Sequence, residues 1–218
     1  MKPTGERRRP GRPRSFDREA ALEKAMAVFW RHGYRDASIG QLTEAMGVTP
    51  PSLYGAFTSK SALFIEAAQR YLTTDGAAPA AALTTAPTAR AAVEAMLLAQ
   101  ADLFTRPDRP PGCLLTRAAL TCPADEPDVA EFLARATHAR LTDLQRVLRA
   151  AADRGEPIPF GPRETAALVD TVVQGMAVRA AEGATRRELR RTARRTMQMW
   201  DAAVAAAADP AHSARTRT

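Results

Sequence analysis

Ser38-Ile39-Gly40-Gln41-Leu42-Thr43-Glu44-Ala45-Met46-Gly47-Val48-Thr49-Pro50-Pro51-Ser52-Leu53-Tyr54-Gly55-Ala56-Phe57 carries two short helix signatures back to back. Ser38 with Gln41 three residues on is a capping box, in which each side chain satisfies an orphan backbone N–H of the other. Ile39, Leu42 and Met46 then fall on one helical face, and Gly47 supplies the left-handed stop. Thr49 is placed to cap a second helix whose first positions are Pro50 and Pro51, where proline forfeits no hydrogen bond. Pro51 biases Pro50 away from the α region, a local conflict with that reading. Leu53 and Phe57, four apart, would anchor this helix inward. Thr49, Ser52, Tyr54, Gly55 and Ala56 are left facing out. A capped helix, a Gly turn and a second short helix make a helix-turn-helix, whose second helix enters the DNA major groove.

Upstream, Asp17 is a helix N-cap, and Leu22, Ala25, Met26 and Phe29 recur at helical spacing until Gly33 stops the run. Downstream, a further helix starts near Ser59 and carries Leu63, Phe64, Ala67 and Tyr71. Residues 73–88, rich in Ala, Thr and Pro, read as a loop or loose link. Helices are expected over 88–105, 113–122, 126–154, 163–182 and 186–207, with breakers at Arg109-Pro110-Pro111-Gly112, at Gly155-Glu156-Pro157 and at Gly183. Strand-like alternation is scarce. The expected fold is all-α, with about nine helices. It divides into a disordered basic arm at 1–14, a three-helix helix-turn-helix domain at 15–60, a helical ligand-binding and dimerisation domain at 61–208, and a disordered tail at 209–218.

Bulk properties agree. The net charge of +7 is concentrated at the start, where residues 1–14 hold six Lys/Arg against one Glu. Such a tail seeks phosphate, although a solvated end without a partner has the same composition. Gly11-Arg12-Pro13-Arg14 resembles an AT-hook core, which makes Arg12 and Arg14 the candidates for minor-groove entry. No apolar run is long enough to span a membrane, and two cysteines make no disulfide framework, so a cytoplasmic protein is expected. No nucleophile elbow, phosphate-binding loop or metalloprotease motif is present, so no catalysis, metal or cofactor is expected.

The segments Ser38–Leu42 and Gly47–Phe64, with Ala27-Val28-Phe29-Trp30-Arg31-His32-Gly33-Tyr34 before them, resemble the DNA-binding domain of the TetR family of regulators. Gly112-Cys113-Leu114-Leu115 with Ala118 looks like a segment of one broad subgroup. The resemblance implies a homodimer whose two reading heads meet successive major grooves of operator DNA. A small-molecule effector in the C-terminal domain would release the DNA, most often relieving repression. It implies that Tyr54 contacts a phosphate or a thymine methyl and that Lys60 holds a backbone phosphate. Ser38, Thr49 and Pro50 lie where helix N-termini approach phosphates, and Ser52 is the best base-reading candidate. Gly55 departs from the bulky residue frequent at its position, so specificity would lean on backbone approach and DNA shape. A rim aromatic at Tyr54 and a solvated cap at Lys60 are the competing readings. The alternative function is a protein-binding adaptor of the same fold that has lost DNA binding.

In the C-terminal half, Met96, Gln100, Phe104, Cys113, Arg117, His138, Gln145 and Gln174 are the candidate effector contacts. Cys113 follows Pro110-Pro111-Gly112, which would put it in the first turn of its helix with Arg117 one turn on, the setting of a thiol sensor. Val172, Met176, Leu189, Ala193, Met197, Trp200 and Val204 make apolar stripes on the last two helices and are expected to pair with a second copy. The arginine rows 186/190/194 and 187/191/195 are expected to be a solvated surface.

Overall fold

The computed structural model describes residues 17–208, and every described element is a helix. Arg12 and Arg14 lie outside the described residues. The reading head consists of α1 (Arg18–Asp36), α2 (Ile39–Met46) and α3 (Pro50–Phe57), with α4 (Lys60–Thr73) leading out of it. The body holds α5 (Ala77–Thr85), α6 (Ala89–Phe104), α7 (Leu114–Thr121), α8 (Pro127–Asp153), α9 (Pro162–Ala181) and α10 (Arg186–Ala208).

The local signals act as read. Asp17 accepts from the Ala20 amide at 3.1 Å, and Ser59 caps α4 through the Ala62 amide at 3.0 Å. In α1 the chain leaves helical geometry at Gly33 (φ +79°) and then makes one more turn to Asp36. A Cβ at Gly33 would stand 2.4 Å from Thr121 Oγ1, so glycine is required both for its backbone and for the approach of α7.

The segment read as a link, 73–88, instead contains α5. Alanine is the best helix former, and Pro79 sits in the first turn, where its missing N–H costs nothing. Pro79 and Leu83, four apart, bury one face of this helix, and α6 is its chief neighbour. Tertiary burial therefore decides a segment whose local pattern is ambiguous, and it raises the expected nine helices to ten among the described residues.

One apolar cluster runs from Ala21 to Trp200, across the boundary expected at 60/61. Phe29 and Tyr34 meet Phe64 of α4 edge-on, both at 5.2 Å between centroids, and Trp30 meets Tyr71 at 4.7 Å. The head is thus packed continuously onto the body through α4 and α7.

The stripe on α10 read as a seam with a partner faces inward. Leu189, Ala193, Met197 and Trp200 are buried within the protomer, as is Met176 of α9. The reason lies in α6. Asp102 takes hydrogen bonds from Arg186 and Arg190, and Arg90 grips Asp201 with two bonds of 2.6 and 2.8 Å, which turns the apolar face of α10 onto α6. Val172 and Val204 are only half-buried. The outward apolar residues of α9 and α10 are Leu168, Val178 and Met199.

Candidate nucleic-acid interface and effector cavity

The turn between α2 and α3 is built as its residues demand. The Gln41 amide donates to Ser38 Oγ at 3.1 Å, while the Ser38 amide donates to Gln41 Oε1 at 2.8 Å. Gly47 takes the left-handed conformation (φ +72°, ψ +35°) and returns its N–H to Thr43 and Glu44. α3 then begins at Pro50. Thr49 is its N-cap by backbone position, but its hydroxyl makes no cap bond and lies 3.0 Å from the Ser52 hydroxyl instead. With prolines at the first two helical positions, fewer amides at this helix end call for a side-chain cap.

α3 presents one face inward and one outward. Leu53 and Phe57 are fully buried, and the Arg18 guanidinium lies 4.5 Å over the Phe57 ring while gripping Glu66 with two hydrogen bonds. This fixes the rear of α3 against α1 and α4. Thr49, Pro50, Ser52, Tyr54 and Gly55 are all exposed, and Tyr54 is the only large apolar side chain of α3 left uncovered. Beyond its own helix backbone and chain neighbours, no described atom lies within 4 Å of where a Gly55 Cβ would stand, so the backbone there can approach a flat partner closely. Ser38 is exposed as well.

Lys60 opens α4 beside this face. Its ammonium donates to the Arg35 carbonyl at 3.2 Å and lies 4.7 Å from the Tyr34 ring centroid. Burial lowers its pKa below the ordinary lysine value, against the opposing pull of Glu126 and Asp36. It is held by α1 rather than swinging free. The exposed hydroxyls, one tyrosine and one positioned lysine form a surface suited to phosphate and base edges.

In the body, a cavity of about 380 Å³ opens between α4, α5, α6, α7, α8 and α9. Of the residues singled out from sequence, Met96, Gln100, Phe104, Cys113 and Gln174 line it. Arg117 lies on a separate cleft of about 220 Å³ between α7 and α9, with Cys113 between the two spaces. His138 and Gln145 are outside both, and His138 is exposed. The cavity-facing residues of α8 are Ala136, Ala139, Arg140, Asp143 and Arg146, and neither His138 nor Gln145 is among them.

Cys113 is the N-cap of α7 with extended backbone, not a first-turn residue, and its thiol accepts a hydrogen bond from the Tyr71 hydroxyl at 3.5 Å. The polar wall that sequence reading missed consists of Arg140 and Asp170. Arg140 Nε donates to Asp170 Oδ1 at 2.6 Å, and Gln174 Nε2 donates to Asp170 Oδ2 at 3.2 Å. A buried Asp at position 170, among Ala166, Val169 and Val173, was the available signal.

A second missed feature ties cavity to head. Gly76, Leu72 and Tyr71 line the cavity, and between them Asp75 is buried, with a side chain 1% exposed. Arg106 and Arg109, from the loop after α6, each donate to Asp75 Oδ1 at 2.9 Å. Arg109 also pairs with Glu23 of α1, and Arg70 of α4 pairs with both Glu23 and Glu19. Burial alone would raise the Glu23 carboxyl, but the hydrogen bonds and charges of Arg70 and Arg109 outweigh it and hold its pKa below the ordinary value.

This is a helix-turn-helix DNA-binding transcriptional regulator with a helical C-terminal body. Residues 21–67 match the model of the bacterial regulatory proteins of the tetR family. The chain is 35% identical over 192 residues to the Escherichia coli HTH-type transcriptional repressor ComR, covering 87% of this chain and 91% of ComR. It is 41% identical over 66 residues to the Escherichia coli repressor BdcR, 30% of this chain and 34% of BdcR. Among solved structures, a cysteine mutant of the TetR family regulator CifR, complexed with 26-bp double-strand operator DNA, superposes with a TM-score of 0.81. The two are 37% identical, and the match covers 87% of this chain and all of that one. The chain belongs to the TetR family. No described helix is long and apolar enough to cross a membrane, and no described cluster of His, Cys, Asp or Glu could hold a metal ion.

Proposed function

We propose that the chain is a homodimeric, cytoplasmic repressor whose α3 reads operator DNA and which is released from it by a small molecule bound in the body cavity. The observation that carries the reading is the outward face of α3. Five polar or backbone-exposing positions (Thr49, Pro50, Ser52, Tyr54 and Gly55) stand free over a rear face locked by Leu53, Phe57 and Arg18. Among the described residues, no side chain from outside this segment hydrogen-bonds to that face. Ser52 reads a base edge, and Tyr54, Lys60, Ser38 and the α3 N-terminus take phosphates. The similarity to the named repressors and to a relative solved on operator DNA supports repression through such contacts. Arg12 and Arg14 would add minor-groove contacts.

The partner surface is the outward face of α9 and α10, where Leu168, Val178 and Met199 stand exposed and Val172 is half-buried beside them. Two such faces form a four-helix bundle, which sets the spacing of the two heads. The cavity is large enough for a small effector, and it touches α4 and Gly76, the residue after Asp75.

The test is selection of bound duplexes from random DNA, followed by footprinting. A palindromic site with half-sites about one helical turn apart is expected. Absence of any selected sequence would favour a protein-binding adaptor that has lost its DNA.

A further inference from the structure

All three ionised side chains on the cavity wall are paired inside the protein. Arg140 is held by Asp170 at 2.6 Å, and at the mouth Arg146 donates to Asp143 at 3.1 Å. Asp170 is the inner member of the first pair, with a side chain 8% exposed against 30% for Arg140. The pair therefore presents no net charge to a guest.

Its hydrogen-bonding capacity is not used up. Only Nε of Arg140 is committed, and its two Nη nitrogens have no partner among the described residues. Gln100, contributed to the lining by α6, has none there either. Much of the remaining lining is aliphatic or aromatic, including Leu83, Met96, Leu103, Phe104 and Val173.

From this geometry we propose that the cavity selects an uncharged, mainly apolar molecule carrying one or two acceptor oxygens, such as an ester, ketone or ether, and discriminates against carboxylates. The inference rests on the cavity being the effector site. The acceptor oxygen meets the free guanidinium donors of Arg140, a charge-assisted hydrogen bond that needs no ionised guest. A carboxylate meets the same donors, but Asp170 has already neutralised them. It would then stand as a second anion beside a buried one and lose its water without a matching cation. An ammonium would meet the Arg140 guanidinium as a like charge, and the lining carboxylate, Asp143, is already engaged by Arg146.

The experiment is calorimetric titration of the full-length protein at neutral pH with methyl 2-naphthoate and with sodium 2-naphthoate. The two probes share a ring system and differ mainly in charge. We expect the ester to bind at least about tenfold more tightly, a difference of about 1.4 kcal/mol. In Asp170→Asn, Arg140 loses its counter-charge, so the acid should gain about tenfold while the ester changes little. Ala80→Trp, at an exposed cavity-lining position of α5, should abolish ester binding by filling the space. If Asp170→Asn does not fold, the wild-type ratio decides alone.

Acid binding as tight as ester binding in the wild type overturns the charge selection and leaves the cavity reading standing. Ester binding that survives Ala80→Trp places the guest elsewhere and overturns the assignment. Binding of neither probe sinks both the inference and the effector cavity on which it rests.

Discussion

The Trp30 indole Nε1 donates to the Gly112 carbonyl at 3.0 Å, joining the first helix of the reading head to the loop that enters α7. The other side of Gly112 lies against α9, where an added Cβ would stand 2.7 Å from the Ala177 carbonyl. Head, loop and α9 are therefore stacked with no slack, and Gly112 (φ +88°) occupies a conformation that side chains resist.

The first prediction concerns this contact. Gly112→Ala should lower unfolding free energy by about 2–3 kcal/mol, through left-handed strain and the clash with Ala177 together. Trp30→Phe keeps a ring in the core but leaves the Gly112 carbonyl unpaired, at a cost of about 1–3 kcal/mol. Urea titration checks both. If Gly112→Ala is neutral, α9 is free to move away, and the stack is not a rigid link between head and body.

Lys60 and Ser52 should separate by what they do to salt dependence and sequence preference. Lys60→Ala removes one phosphate contact, so the slope of log affinity against log salt should become shallower by about 0.9. Affinity should fall on all sequences alike. Ser52→Ala should leave the slope and alter the preference at one base position, by about 1–3 kcal/mol at most. An unchanged slope for Lys60→Ala would mean that its bond to the Arg35 carbonyl is its whole role.

These residues were legible because their signals are local. The Ser38–Gln41 box, Gly47 and the Thr49-Pro50 start fix two helices and the turn between them within twenty residues. Burial of Leu53 and Phe57 followed from spacing alone. The misses share one cause: periodicity identifies an apolar face but not what covers it. Trp200 and Met197 read correctly as a buried stripe, yet their cover is α6 of the same chain, chosen by the Arg90–Asp201 and Arg186–Asp102 pairs across some 84 to 111 residues. α5 was obscured by Pro79 and two threonines, and is made by burial of Pro79 and Leu83. The pairing of Arg140 with Asp170, thirty residues apart on different helices, leaves no trace in spacing.

The strap from Asp75 to Glu23 predicts an acid-sensitive junction. The folded-state pKa of Glu23 lies below its ordinary value, so the ionised carboxylate favours the folded arrangement. That contribution is fully present above the unfolded glutamate value of about 4.3, and is lost as pH falls through the lower folded value. Stability should therefore fall below about pH 4.3 more steeply in the wild type than in Glu23→Gln, where the carboxylate is already gone. Glu23→Gln should also weaken effector-induced release at neutral pH, because Arg109 then loses its grip on α1 while Asp75 keeps its own. Identical acid profiles for the two proteins would remove Glu23 from the junction.

The last prediction separates two surfaces of the same helix. Trp200 and Met199 are neighbours on α10, yet Trp200 is buried against the protomer core and Met199 is 69% exposed. A charge at Trp200 would enter an apolar interior with no partner, at a cost of several kcal/mol, so Trp200→Glu should unfold the protomer itself. A charge at Met199 costs the protomer almost nothing. If the outward face of α9 and α10 meets a second copy, Met199→Glu, alone or with Leu168→Glu, brings like charges together across the two-fold axis. The expected result is a folded, helical monomer by circular dichroism and sedimentation. It should bind DNA far more weakly than the wild type, because one head then engages one half-site without its tethered partner. A dimeric Met199→Glu, Leu168→Glu double variant with unchanged DNA affinity would place the two-fold axis on another face. Trp200→Glu that stayed folded and monomeric would restore the seam first read from the α10 periodicity.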